Sequence, residues 1–302
     1  MQLILLTFLT MIAFAANSVF ARLALADGAA DAATYSLVRL VSGALVLGIL
    51  ATNVLRQPDK SIPKQVSGRR IMNNGGNWFS SFALLVYITG FSFAYLALET
   101  GMGALILFAC VQATMIGWGI AHGSRPSPLE WLGLVIAFGA FIYLVSPGLT
   151  APDPAGSVLM IAAGIGWGAY SLRAKSAAPP LLETAGNFVR ASIMIGAGFL
   201  VFYIVMAFAA PNQWLPKMTG FGLAMALLSG GLTSGLGYAL WYRCLIDLTS
   251  TKAAIVQLSV PALATLGGVW FAGEVLTPRL LFSSIAILGG VALAISAKSK
   301  TD

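Results

Sequence analysis

The chain is written twice, and the two copies have to run in opposite directions. Ala16-Asn17-Ser18-Val19-Phe20-Ala21-Arg22 aligns with Trp167-Gly168-Ala169-Tyr170-Ser171-Leu172-Arg173, an offset of 151 residues from Arg22 to Arg173. Val38-Arg39 meets Val189-Arg190 at the same offset, and Pro128 meets Pro278, with Gly139-Ala140 on Gly289-Gly290, at an offset of 150. Each identity is weak alone, but a nearly constant offset over separate segments is hard to obtain by chance. Each copy also carries five long apolar stretches. If every stretch crosses a bilayer, an odd number per copy inserts the second copy upside down. Inverted repeats of this kind hold a substrate site where the halves meet.

A bilayer is the environment that composition demands. The chain is 58% hydrophobic and 9% charged over 302 residues, whereas soluble domains carry about 25% charged residues. Ten segments approach the roughly 20 apolar residues needed to cross the hydrocarbon core: 3–25, 32–52, 78–98, 101–121, 129–146, 154–173, 183–208, 218–243, 251–271 and 277–296. The expected fold is all-α and integral to the membrane. Its ten transmembrane helices form two inverted five-helix repeats, 1–150 and 151–302, around a central cavity. Residues 3–25 belong to the repeat and exceed a signal-peptide h-region of roughly 7–15 residues, so they read as the first span. Turn and cap residues punctuate the rest: Pro126-Ser127-Pro128, Ser146-Pro147-Gly148, Asp153-Pro154, Thr249-Ser250-Thr251 and Thr277-Pro278. The Asn73-Asn74-Gly75-Gly76-Asn77 tract reads as a flexible stretch of the long 53–77 loop.

A net charge of +7 could suggest a nucleic-acid partner. Position excludes that reading, because the basic residues sit in the links between spans. Arg56, Lys60, Lys64, Arg69, Arg70, Arg125, Arg173, Lys175, Arg243, Lys252, Lys298 and Lys300 share one side; Arg22, Lys217 and Arg279 share the other. The positive-inside rule then puts both termini in the cytoplasm.

No enzyme motif is present. There is no His-Glu-x-x-His, no Gly-x-Ser-x-Gly, and one histidine, His122, at a span edge. Cys110 and Cys244 are far apart and read as packing residues, so neither a disulfide framework nor a metal site is expected. An ion pore would place carboxylates within the membrane. Glu99, Glu130, Glu183 and Glu274 all fall at span ends. Facilitated transport down the substrate's own gradient is the reading that remains, with no cofactor.

The candidate substrate-binding residues are polar or aromatic side chains inside spans: Asn17, Tyr87, Gln112, Trp167, Tyr238, Trp241 and Gln257. Such groups are costly against lipid and so face a cavity or another helix. Ser18, Thr114, Asn187 and Ser259 are read as interhelical hydrogen-bonding groups. Arg39 and Arg190 hold equivalent repeat positions seven residues into their spans, as structural anchors or as contacts for a substrate carboxylate. Gly164–Gly168 and Gly231–Gly235 are small-xxx-small spacings for close helix approach. Pro261, near the middle of 251–271, should leave the Gln257 carbonyl unpaired and kink the helix, making it a candidate hinge.

With these features in place, the chain resembles the EamA-type branch of the drug/metabolite transporter superfamily. The resemblance is carried by Gly273-Glu274-Val275-Leu276-Thr277-Pro278, the small-residue run Gly289-Gly290-Val291-Ala292-Leu293, and Trp167-Gly168-Ala169-Tyr170. His122-Gly123-Ser124-Arg125-Pro126-Ser127-Pro128 matches the first of these loosely, with Ser124 where the glutamate would sit. Within that branch the chain is most similar to YddG-type aromatic amino acid exporters of bacterial inner membranes. The resemblance implies a basket lined by the first, third, fourth, sixth, eighth and ninth helices, with the fifth and tenth at the edge. It implies export of amino acids, aromatic ones included; the expected partners are the lipid bilayer and that small-molecule substrate, with a monomer as the working expectation. A broad drug or nucleotide-sugar carrier is the alternative within transport, and a membrane enzyme or scaffold the alternative outside it. The basic-residue asymmetry makes a direct prediction: reporter fusions after Asp302 and near Asn212 should read as opposite sides of the membrane, and identical readings would overturn the ten-span arrangement.

Overall fold

Apolar runs bounded by caps become helices. The computed structural model describes residues 2–56, 75–123, 125–148, 151–174, 180–209, 216–245 and 256–297. Among them lie ten helical rods. These are α1 (Gln2–Leu25), α2 (Ala32–Arg56), α3 (Trp78–Ala94), α4 (Thr100–Ala121), α5 (Pro128–Val145), α6 (Pro154–Ala174) and α7 (Pro180–Ala209). The eighth rod, α8, is α-helical over Gly220–Leu227, π-helical over Leu228–Leu236 and α-helical again over Gly237–Leu245; α9 (Ser259–Ala272) and α10 (Pro278–Ala297) follow. Ser127 and Glu130 close a capping box on α5, and Asp153, Thr219 and Thr277 accept from N–H groups in the first turns of α6, α8 and α10. The Thr249-Ser250-Thr251 cap, Ser124 and most of the 53–77 loop lie outside the described residues.

Seven of the helices are long and apolar enough to cross a membrane, and Trp78–Ala94, Ser259–Ala272 and Pro278–Ala294 are shorter apolar helices. No strand occurs among the described residues; one isolated bridge joins Ala30 and Met218. The outer surface is apolar: Phe208 is 87% exposed, Trp270 73% and Ile285 68%. Monomeric soluble proteins rarely leave such contiguous apolar surface in water, so lipid is its solvent.

Two local outcomes differ from the sequence reading, and a third gives it a precise place. The third helix stops at Ala94, where the Tyr95 N–H donates to Phe91 and the Tyr95 hydroxyl reaches the Thr100 carbonyl at 3.1 Å, tying the turn to α4. The end of the 73–77 tract, expected to be flexible, is pinned instead. Gly76 N–H donates to Glu183 at 2.8 Å, Asn77 N–H to Asn187 at 2.8 Å, and Arg190 Nη1 to the Gly75 carbonyl at 2.6 Å. Val256 and Gln257 are helical, Leu258 is a turn residue and α9 begins at Ser259, so the rod breaks just before Pro261, which stands in the first turn of α9. A proline there removes the N–H that would have bridged the break to the Gln257 carbonyl.

Packing follows one plan. Helix α1 packs on α8 and α9, α3 on α6 and α7, α2 on α7 and α8, α4 on α6 and α9, and α5 on α10. Small residues set these distances. A Cβ at Gly164 would stand 2.6 Å from the Cys110 Cβ, and one at Gly168 2.8 Å from Thr114. One at Gly230 would overlap the Arg39 carbonyl and Ser42.

At one end of the bundle Glu274 gathers three elements. It accepts from the Thr100 N–H at 2.8 Å and the Thr100 hydroxyl at 2.9 Å, and pairs with Arg22 at 3.1 Å. A carboxylate at the N-terminus of α4 is favoured by the helix dipole. Nearby, burial and the Glu274 charge push the Glu99 carboxyl above the usual range, with Arg22 offsetting only part. The folded state therefore binds a proton that the unfolded chain has released, so stability falls as pH rises from the ordinary carboxylate pKa through the raised one. Glu99→Gln should raise the melting temperature in detergent at neutral pH. That advantage should vanish as the pH drops below the ordinary carboxylate range, where the native glutamate is already protonated.

Candidate functional site

Between the helices lies a narrow cavity of about 20 Å³ lined by Phe14, Asn17 and Ser18 of α1, Tyr87 and Phe91 of α3, Leu107 and Phe108 of α4, Trp167 of α6 and Tyr238 of α8. As packed here it has room for about one water molecule, so a larger guest requires the helices to part. The aromatic wall is continuous: Tyr87 lies 4.8 Å from Trp167 and 5.6 Å from Phe91, and Tyr238 lies 5.1 Å from Trp167, centroid to centroid. Glycines bring these rings together, since Gly166 packs on the Ala83 carbonyl and the Tyr87 N–H, holding α6 against α3.

Polar groups are placed by the π-helical stretch of α8. Ser229 and Thr233 donate to the Asn17 side-chain oxygen at 2.7 and 2.6 Å. Ser234, on the adjoining line of the same stretch, accepts from Arg39 Nε and Nη2 at 3.4 Å each. An i→i+5 helix widens the turn and turns successive polar residues toward two neighbours, α1 and α2, at once. Arg39 is fully buried, with its guanidinium carbon 4.8 Å from the Phe91 centroid and 5.3 Å from that of Tyr87. Its Nη2 also donates to the Tyr87 hydroxyl at 3.1 Å. Among the described residues no carboxylate lines the cavity.

Of the residues singled out from sequence, Asn17, Tyr87, Trp167 and Tyr238 meet at this cavity. Gln112 is buried one turn beyond Phe108 and outside the lining, and Trp241 stands behind Phe14 at 5.9 Å. Gln257 precedes α9, which contributes no lining residue because it packs behind α1 and α4, with Gly267 against Val19. Pro261 is buried in α9, also away from the lining. Arg190 anchors the loop before α3 and lies 5.9 Å from the Trp78 ring. Phe14, Phe91, Leu107 and Phe108 were not singled out. Helical spacing marks two of them, since Phe14 is three residues before Asn17 and Phe91 four after Tyr87. His122 stacks on Trp118 at 3.9 Å, and among the described residues no cluster of histidine, cysteine or carboxylate side chains could hold a metal ion.

Comparison with known proteins fits this geometry. Residues 154–296 match the EamA-like transporter family. An uncharacterized protein of Pseudomonas aeruginosa is 42% identical over 293 residues, covering 97% of this chain and 94% of that one. The chain belongs to the EamA-like transporter family. This EamA-like chain is therefore a multi-pass membrane protein of a transporter family. It is also 29% identical over 182 residues to the threonine/homoserine exporter RhtA of Escherichia coli K12, covering 58% of each chain. A protein of solved crystal structure superposes with a TM-score of 0.57 at 16% identity, over 94% of this chain and 97% of that one.

The Asn17 node is the part of the site whose energetics can be stated. Removing its side chain leaves the buried Ser229 hydroxyl without its acceptor, a loss of roughly 1–3 kcal/mol. Asn17→Ala should lower the unfolding temperature in detergent by several degrees, read by differential scanning fluorimetry.

Proposed function

We propose that this EamA-like protein is a facilitative secondary transporter of the bacterial inner membrane, exporting amino acids, aromatic and other neutral ones included, by alternating access. The observation that carries the reading is an aromatic-walled, carboxylate-free cavity built from α1, α3, α4, α6 and α8. Stacked rings accept bulky apolar side chains, while amide and hydroxyl groups orient a polar end. A one-methylene difference is worth only about 1–3 kcal/mol in such a pocket, so selectivity should be broad. The named activity of RhtA, threonine and homoserine export, supports amino acids as the class. The absence of a carboxylate from the lining favours movement down the substrate's own gradient over coupling through a buried acid.

Alternating access rests on two inverted repeats, 1–150 and 151–302, each of five spans. Packing supports that division. Exchanging each of the first five helices with its counterpart turns the α1–α8 and α1–α9 contacts into α6–α3 and α6–α4. The same exchange turns α2–α8 into α7–α3, and leaves α2–α7, α4–α9 and α5–α10 paired with themselves. The loops follow suit. Asp31 at the start of α2 accepts from the Lys217 N–H before α8 at 2.9 Å, as Glu183 near the start of α7 accepts from the Gly76 N–H before α3 at 2.8 Å. Burial along α4 is graded, with Thr100–Phe108 and Cys110–Gln112 packed and the rest largely open. This supports a conformation closed at the Glu274 end.

Purified protein in liposomes should move labelled phenylalanine, tryptophan and threonine down their gradients. Trp167→Ala should reduce transport of the two aromatic substrates about tenfold, consistent with ring contacts worth roughly 0.5–1.5 kcal/mol beyond burial, and threonine less. Equal losses for large and small substrates would remove Trp167 from the site, and no transport of any amino acid would end the reading.

A further inference from the structure

Two arginines hold equivalent repeat positions and do different things. Arg190 donates from Nη1 to two backbone carbonyls, Gly75 at 2.6 Å and Gly186 at 3.1 Å. Arg39 is 0% exposed, and its Nη1 makes no hydrogen bond within the protein. Its titratable neighbours are the neutral phenols of Tyr87, Tyr238 and Tyr35, and no described carboxylate stands within ion-pair distance. A buried cation without a counter-charge is costly, and intramembrane charges of this kind mark sites by default. The faces of Tyr87 and Phe91 offset part of that cost.

The groups between Arg39 and the cavity point to what completes it. Tyr87 Oη accepts from Arg39, so its own hydrogen is free to be donated, and the adjoining cation makes it a stronger donor. The Tyr238 hydroxyl is buried near it without a well-formed bond. Asn17 has its oxygen occupied by Ser229 and Thr233, which leaves its amide N–H groups. Tyr87, Tyr238 and Asn17 all line the cavity. The polar inventory is therefore amide N–H groups and hydroxyls that can all donate, those of Ser18, Tyr87 and Tyr238 included, backed by one positive charge. A carboxylate offers only acceptors and matches it. An ammonium group meets no described carboxylate there, only ring faces and neutral hydroxyls.

We infer that the cavity selects its guest by a carboxylate, held through Tyr87, Tyr238 and Asn17 in the field of Arg39, and does not require the α-amino group. The substrate class is then amphipathic monocarboxylates, of which amino acids are one kind and deaminated aryl or branched acids another. Arg39 acts as a positioning and charge-setting residue behind the wall. The inference rests on the transport reading above only for the identity of the site.

The test uses wild-type protein first. Binding of phenylpropionate and of phenylpropionamide to the detergent-solubilised protein is measured by calorimetry. Both compounds, with phenylalaninamide, are then used to compete labelled phenylalanine in liposomes. The acid should bind, and should compete within a few-fold of phenylalanine; the amides should be weaker by roughly tenfold or more, the equivalent of about 1.4 kcal/mol. Arg39→Gln and Tyr87→Phe, each first checked for a monodisperse elution profile, should erase or shrink the preference for acid over amide. Amides binding as well as acids to the wild type would overturn the inference, whatever the variants do. Acid preference in binding with no movement of phenylalanine would instead retire the transport reading and leave the inference standing.

Discussion

In hydrocarbon, burying a leucine gains little, because lipid is as apolar as the protein core. Cohesion has to come from close backbone approach and from polar groups satisfied inside the bundle. The structure depends on that constraint throughout. Gly164 and Gly168 admit Cys110 and Thr114 of α4, Gly166 admits the backbone of α3, and Gly230 admits that of α2. The apolar side chains that would form a core in water, such as Phe208 and Ile285, are instead directed outward.

The same constraint explains where charge sits. Charges near the ends are organised into short clusters, with Glu274 joining Arg22 to the start of α4 and Glu183 holding the backbone before α3. In the middle, charge is kept as arginine against aromatic faces. Between these two levels the cavity is neutral in its lining and aromatic in its walls. The protein thus holds its polarity in layers, which lets the ends be tied together while the centre remains adaptable.

Much of this was legible in the residues. Ten apolar runs bounded by Pro126-Ser127-Pro128, Asp153-Pro154 and Thr277-Pro278 predict rods that the structure contains, because caps and hydropathy act locally. The aromatic and amide residues inside those runs include Asn17, Tyr87, Trp167 and Tyr238, which the structure brings to one cavity. Other features depend on neighbours far along the chain. The π-helical stretch of α8 packs Gly230 against the backbone of α2, and no local propensity announces it. Gln112 and Trp241 are as polar or as aromatic as the lining residues. Which side of α4 or α8 faces the centre is decided by packing partners, so their exclusion could not be read from type alone. The break at Leu258, by contrast, falls beside Pro261, whose missing N–H acts locally.

Gly230 has a consequence beyond fit. Its Cα lies against the Arg39 carbonyl, so the backbone that carries the guanidinium rests on the backbone of the π-helical stretch. Any side chain introduced there would wedge the two apart and lift the arginine from Ser234. In a medium of low dielectric, interaction energy changes steeply with distance. A mutation that touches no guest could therefore retune which guests are accepted, making this glycine a mechanical control on the chemistry of a site it does not line.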